Sequence, residues 1–196
     1  EYKNVKIILT GKEAVLKDNL AMHKYDREKI EVVNANEVIE NNEAPTVAIR
    51  TKKDSSLVVA LDILKKQEEV DGLVSAGSTG AVLTGGFLKI GRMKGISRPA
   101  LSPLMPTIDN KQVMLIDCGA NMDTKPENLA HFATMGSLYM QTMFNIKKPR
   151  VALLNVGTEA KKGNQLAKES FELLKTMDIN FVGNMEARDA LSGNYD

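Results

Sequence analysis

A single cysteine, Cys118, stands in 196 residues, so no internal disulfide can form and a reducing, cytoplasmic setting is expected. Charge of one sign is also scarce. The 26 Lys and Arg are balanced by 25 Asp and Glu, a formal net charge of +1. No global field then favours nucleic acid, and no nucleic-acid partner is expected. Long apolar runs are missing too. The most apolar window, Leu73 to Ile90, is interrupted by glycines, serines and threonines, and reads as strand, turn and buried helix rather than membrane span. Histidine is sparse: His23 and His131 fall on expected helices with no serine motif beside them, which speaks against a Ser–His–Asp triad. No histidine neighbours the carboxylates at ligand spacing, so no metal is expected. The chain has neither the Gly-Lys-Ser/Thr of a P-loop nor the G-x-G-x-x-G of a dinucleotide site, and no cofactor is expected. It shows no internal repeat, low-complexity tract or linker. It opens without an initiator Met or a signal peptide, and we expect a trimmed or partial chain.

What is present is ordinary globular material. Hydrophobic residues make up 43% and charged residues 26%, and the length suffices for one sizeable core or two small ones; a single domain spanning residues 1–196 is expected. Short apolar runs alternate with helical stretches. Strands are expected at Val5–Leu9, Ile30–Val33, Gly72–Ser75, Val113–Ile116, Val151–Val156 and Ile179–Val182. Helices are expected at Lys12–His23, from Pro45 to about Val70 with a break and a new cap at Asp54-Ser55-Ser56, at Thr79–Arg92 loosened by Gly85 and Gly86, at Pro126–Phe144 and at Gln165–Met177. Pro99, Pro103 and Pro106 mark a loop or edge strand between them. This alternation predicts an α/β fold, with helices on both faces of a parallel or mixed sheet.

In such sheets ligands bind beyond the carboxyl ends of the strands. Four strand ends run into polar, glycine-bearing turns: LVSAGSTGA, LIDCGANMD, LLNVGTEAKKGN and FVGNMEARD. We expect them to converge on one rim and line a cleft. The first is suited to an anion. Ser75, Ser78 and Thr79 offer hydroxyls, Gly77 and Gly80 allow close backbone approach, and a helix begins near Thr79. A tight turn with a serine N-cap would use the same residues, and both readings stand on spacing alone.

The stretch LIDCGANMDTKPE crowds polar groups where an apolar run stops. A helix start explains its later part: Asp123 or Thr124 caps, Pro126 sits near the first position, and Glu127 favours the helix dipole. It does not explain Asp117 and Asn121, which flank Gly119. Cys118 reads as a small buried hydrophobe. Lys161 and Lys162 read either as a solvated pair or as charges for an anionic ligand beside a glycine turn.

The segments SAGSTGA, GISRPAL, DCGANMDTKPENLAHFATMGSLY, RVALLNVGTEAKKGN and FVGNMEARD resemble, in order, the PlsX family, the acyl-ACP:phosphate acyltransferases of bacterial phospholipid synthesis. The long block from Asp117 to Tyr139 is the most specific. Ser78 departs from the Asn expected there. The family's opening strand with its Asp-Ala-Met-Gly-Gly-Asp turn and its later Asp-Gly-Phe-x-Gly-Asn segment have no counterpart, so the chain resembles the family's middle portion.

The resemblance implies a three-layer α/β/α sandwich with a mostly parallel sheet, similar to isocitrate and isopropylmalate dehydrogenases and phosphate acetyltransferases. It implies conversion of acyl-ACP (ACP, acyl carrier protein) and inorganic phosphate to acyl phosphate and free ACP. Partners so implied are ACP, a second copy of the chain in a homodimer, and a membrane-bound downstream acyltransferase, with a place in the cytoplasm or at the inner face of the membrane. On that basis we expect Ser75, Gly77, Ser78, Thr79 and Gly80 to cradle phosphate. Asn121, Asn155 and Lys162 would assist developing charge, and Asp117 and Asp123 would orient those donors. Lys161, Lys162 and Lys168 would dock ACP. Two rival readings are a decarboxylating dehydrogenase of related fold and a non-catalytic ACP-binding scaffold.

Overall fold

In the computed structural model, which describes residues 4–196, the chain forms two compact units, Glu1–Gly91 and Arg92–Asp196. The alternation of apolar runs and helical stretches yields an α/β protein in which, among the described residues, two of three strand pairs are parallel.

The first unit begins with strand β1 (Ile7–Gly11), helix α1 (Glu13–Ala21) and strand β2 (Ile30–Asn34). The strands pair in parallel, with Ile7 opposite Ile30 and Gly11 opposite Asn34, so α1 is the crossover that parallel pairing requires. Helices α2 (Pro45–Thr51) and α3 (Ser56–Lys66) follow. Pro45 starts α2 where its missing N–H costs nothing. The break falls where Asp-Ser-Ser is expected, with Ser55 at the N-cap position of α3. Its hydroxyl turns back to donate to the Lys52 carbonyl (2.8 Å) rather than capping the helix. Val58 and Leu61 of α3 are buried and each contributes roughly 1.5–3 kcal/mol of apolar burial.

Residues Gly72–Ser75, expected as a strand, lie in no strand. Val74 there is fully exposed, so the run offers no apolar face to a sheet. Helix α4 (Thr79–Gly85) then passes into a π-helical turn, Gly86–Ile90. Gly85 is the reason this helix can press on its neighbours. A Cβ there would lie 2.5 Å from Leu61 Cδ1 and 3.2 Å from Ile49 Cδ1.

In the second unit the proline-rich segment supplies strand β3 (Leu104–Pro106), antiparallel to β4 (Gln112–Met114). The expected strand at Val113–Ile116 is thus shorter and paired antiparallel. Pro106 sits at the end of its strand, where a missing donor is tolerated. Helix α5 (Pro126–Phe144) has the expected bounds. Its N-cap, however, is Lys125 with no side-chain cap, not Asp123 or Thr124. Gly136 of α5 faces Ile116 and Met114, whose atoms would lie 3.5 and 3.7 Å from a Cβ.

Strand β5 (Val151–Asn155), helix α6 (Gln165–Lys175) and strand β6 (Phe181–Glu186) complete the unit. β5 and β6 pair in parallel, so Leu153 lies opposite Asn184 and Asn155 opposite Glu186. β6 begins two residues later than expected and continues through Gly183-Asn184-Met185-Glu186, and the register slips between Val151 and Ala152. Phe171 of α6 meets Phe181 edge to face, with centroids 5.3 Å apart. The Arg150 guanidinium grips the Asp196 carboxylate in two bonds of 2.8 Å, while Met114 N–H donates to the Asp196 carbonyl. Among the described residues the strands form three separate two-stranded sheets rather than the single sheet expected.

Candidate functional site

The candidate residues divide between the units. Ser75, Gly77, Ser78, Thr79 and Gly80 belong to the first. Asp117, Asn121, Asp123, Asn155, Lys161, Lys162 and Lys168 belong to the second.

In the first unit, Ser78 is the N-cap of α4, its Oγ accepting the Ala81 N–H (3.3 Å). The Gly77 N–H donates to Ser75 Oγ (3.2 Å). Ser75, Gly77 and Ser78 line a hollow of about 300 Å³ together with Thr10 and Ser56. Among the described residues no charged side chain lines it. An anion there would be held by hydroxyls and by N–H groups of the first helical turn, which have no intrahelical acceptor. Thr79 and Gly80 do not line the hollow. Gly80 has no positive φ. A Cβ there would lie 3.0 Å from Pro45 Cγ, so the residue serves the approach of α4 to α2.

In the second unit, Asp117 organises the turn after β4. Its Oδ1 accepts the N–H groups of Leu101 (2.8 Å) and Ala120 (3.3 Å), and its Oδ2 that of Asn121 (2.8 Å). The Asn121 Nδ2 amide donates to Asp117 Oδ2 (3.2 Å) and to the Pro99 carbonyl (2.8 Å). Burial alone would raise the carboxyl's pKa. The donors from Leu101, Asn121 and Ala120 outweigh burial and hold it below the usual carboxylate value. Gly119 reaches φ +104°, a conformation that favours glycine and lets the turn fold back on the carboxylate. Asp117, Asn121 and Thr124 border a mainly apolar cavity of about 310 Å³, whose walls include Ile116, Phe132 and Leu153. Asp123 stands apart: it is exposed and, among the described residues, has no hydrogen-bond or ion-pair partner.

The loop after β5 is tied down by asparagines. Asn155 Nδ2 donates to the Lys162 carbonyl (3.1 Å), and Asn155 Oδ1 accepts the Val156 N–H (2.8 Å). Asn164 caps α6 through Ala167 N–H (2.9 Å). Gly163 has φ +89°, and a Cβ there would strike the Asn155 amide. Lys161, Lys162 and Lys168 are exposed. Lys162 Nζ lies 3.8 Å from Glu159 Oε1, a solvated pair that contributes little.

One constellation is invisible in the sequence. Ser97 Oγ lies 3.3 Å from His131 Nδ1 and donates to Asn128 Oδ1 (2.6 Å). The hydroxyl has one proton and Asn128 takes it, so Ser97 can only accept from His131. The pair therefore does not form a serine nucleophile with its base. The Ser97 and His131 positions are 34 residues apart, and no local pattern connects them. Among the described residues no group of three or more His, Cys, Asp or Glu could hold a metal ion, and no helix is long and apolar enough to cross a membrane.

An α/β chain with polar, glycine-bearing turns at strand ends and helix starts is the class that these elements define. All of residues 1–196 match the family described as fatty acid synthesis protein, and the chain belongs to that family. A phosphate acyltransferase of Clostridium novyi (strain NT) is 53% identical over 194 residues, covering 99% of this chain and 58% of the relative. A phosphate acyltransferase of Dictyoglomus thermophilum is 50% identical, covering 97% of this chain and 56% of the relative. A putative phosphate acyltransferase of Clostridium perfringens is 47% identical, covering 100% and 58%. The chain thus spans a little over half the length of these curated relatives.

Proposed function

We propose that the full-length protein transfers the acyl group of acyl-ACP to inorganic phosphate, giving acyl phosphate and free ACP. The observation that carries this reading is 53% identity, over nearly the whole chain, to a relative named phosphate acyltransferase. The α/β/α sandwich implied by the family resemblance, in one domain, belongs to the same proposal.

Phosphate is itself the nucleophile. One of its oxygens attacks the thioester carbonyl, an oxyanion develops, the C–S bond breaks, and the sulfur leaves as thiolate and later takes up a proton. With a thiol pKa of about 8.5, the leaving group needs little acid assistance. The protein must then position phosphate and stabilise the oxyanion. Ser75, Gly77 and Ser78, which line the hollow, cradle the phosphate, and Thr79 and Gly80 begin the helix behind it. Asn121, Asn155 and Lys162 face developing charge. Asp117 works through Asn121, whose N–H and amide it holds. Asp123 has no donor to orient among the described residues and is the weakest member of the set. Lys161, Lys162 and Lys168 dock ACP. The enzyme acts as a homodimer, in the cytoplasm or at the inner face of the membrane, and passes acyl phosphate to a membrane-bound acyltransferase.

The test mixes full-length protein, long-chain acyl-ACP and phosphate, and traps acyl phosphate as hydroxamate with hydroxylamine. Phosphate-dependent hydroxamate is expected. Its absence from active, folded preparations would refute the assignment.

A further inference from the structure

We infer that Asn184 is a positioning residue for the Lys161–Lys162 loop, acting through the Glu159 carbonyl. The inference deepens the proposed function, on which the kinetic part of its test rests.

The Glu159 carbonyl oxygen accepts two donors: the backbone N–H of Lys162 (3.0 Å) and the side-chain amide of Asn184 (2.8 Å). The first bond closes a turn of the loop. The second reaches across from β6, 25 positions away in sequence, and fixes where that turn stands. Asn155, from the end of β5, holds the Lys162 carbonyl. The backbone of Lys162 is therefore held at both polar groups, its carbonyl by Asn155 and its N–H by the Glu159 carbonyl that Asn184 fixes in turn, while its side chain stays exposed. Such pinning fixes the base of a lysine whose head must reach a ligand.

Asn184 is only 6% exposed, and its Oδ1 is buried without a partner. Exchanging O and N would not help, because Nδ2 must face the carbonyl it donates to. A buried unsatisfied acceptor is costly, and an apolar residue opposite Leu153 would avoid the cost. The donor is what the position requires.

The test uses full-length protein carrying Asn184→Ala or Asn184→Asp. Amide exchange of Lys162 should accelerate by about threefold to tenfold, the weight of one hydrogen bond, with the β5 and β6 amides unchanged. The KM for acyl-ACP should rise and its dependence on ionic strength should flatten. In Asn184→Asp the carboxylate cannot donate at neutral pH. Burial raises its pKa, and once protonated it can donate again, so loop protection and kcat/KM should recover toward wild type as pH falls. Unchanged Lys162 exchange in either variant overturns the inference. So does acceleration spread equally over β5 and β6, which would make Asn184 a general packing residue. If Asn184→Ala does not fold, the pH series of Asn184→Asp decides alone. Loss of the acyltransferase reading itself would appear as inactive wild-type enzyme and would leave the exchange result intact.

Discussion

Asp117 and Asn121 form a closed pair: one carboxylate oxygen accepts both the backbone N–H of Asn121 (2.8 Å) and its side-chain amide (3.2 Å). The carboxylate thereby aims the asparagine, and the first prediction follows. Asp117→Ala removes an ionised acceptor from three backbone donors and should destabilise the protein by about 1.5–3 kcal/mol, measured by urea unfolding at pH 7. The pKa of Asp117 is depressed by folding, so its stabilisation is present above the unfolded carboxyl's pKa and is lost as pH falls through the folded value. The gap between wild type and variant should therefore close on acidification. A gap independent of pH would mean that the charge is not what stabilises the turn.

The second prediction concerns the phosphate cradle. Gly80 is a poor probe, since a side chain there presses on Pro45 and would perturb packing. Gly77 is the better one: a Cβ meets nothing nearer than Ser75 Oγ, at 3.5 Å. Gly77→Ala should fold with an unchanged Tm, and Gly77→Val likewise within about 0.5 kcal/mol, as for surface positions. Both should raise the KM for phosphate, with valine worse. Wild-type KM in both variants would remove this turn from the phosphate site.

Much of this was legible in the sequence, and the misses have physical causes. Helix α5 declared itself through Pro126 and a long apolar face, and its bounds agree at both ends. The glycine pair at 85–86 marked where α4 gives way to a π turn. Pairing partners were not legible. β3 has only three residues, one of them Pro106, and Pro103 precedes it, so nothing local announces that it binds β4. The apolar run ending at Ser75 reads as a strand, yet Val74 faces solvent and no partner is at hand among the described residues. Residue types at the candidate site were readable because glycine, asparagine and lysine cluster at turns. Their bonds were not: Asn184 to Glu159 and Ser97 to His131 join positions far apart in the chain.

A third prediction comes from the outward side of α5. Leu138 is 56% exposed and Met143 62%, with Tyr139 and Phe144 beside them. Exposed apolar side chains grouped on one helix can serve as an interaction surface. A twofold axis along it would bury the same residues from both copies. Light scattering of full-length protein at micromolar concentration should give a dimer mass, and Leu138→Lys with Met143→Lys should give a monomer that keeps its circular dichroism. A monomeric wild type would rule the dimer out.

The last prediction separates Lys161 from Lys162. ACP is acidic as a class, and the chain's net charge of +1 gives no global field to attract it. Under the proposed function, docking falls to local cations. Lys161 is exposed on the loop after β5 and has no ion-pair partner among the described residues. Rim charges act mainly on association rate and salt dependence. Lys161→Glu should raise the KM for acyl-ACP with kcat nearly unchanged. The effect should fade with added salt, because the Debye length is only about 10 Å at 0.1 M. Lys162 differs, since its backbone is pinned by Asn155 and by the Glu159 turn while its ammonium is only loosely paired at 3.8 Å. A fixed base with a free head suits a charge that meets phosphate or oxyanion. Lys162→Ala should lower kcat as well as kcat/KM, by about 10²-fold or more if it acts on the transition state like an oxyanion-hole donor. Steady-state kinetics at two ionic strengths distinguish the two roles. Should both variants match wild type at low salt, the pair is an ordinary solvated face and ACP docks elsewhere.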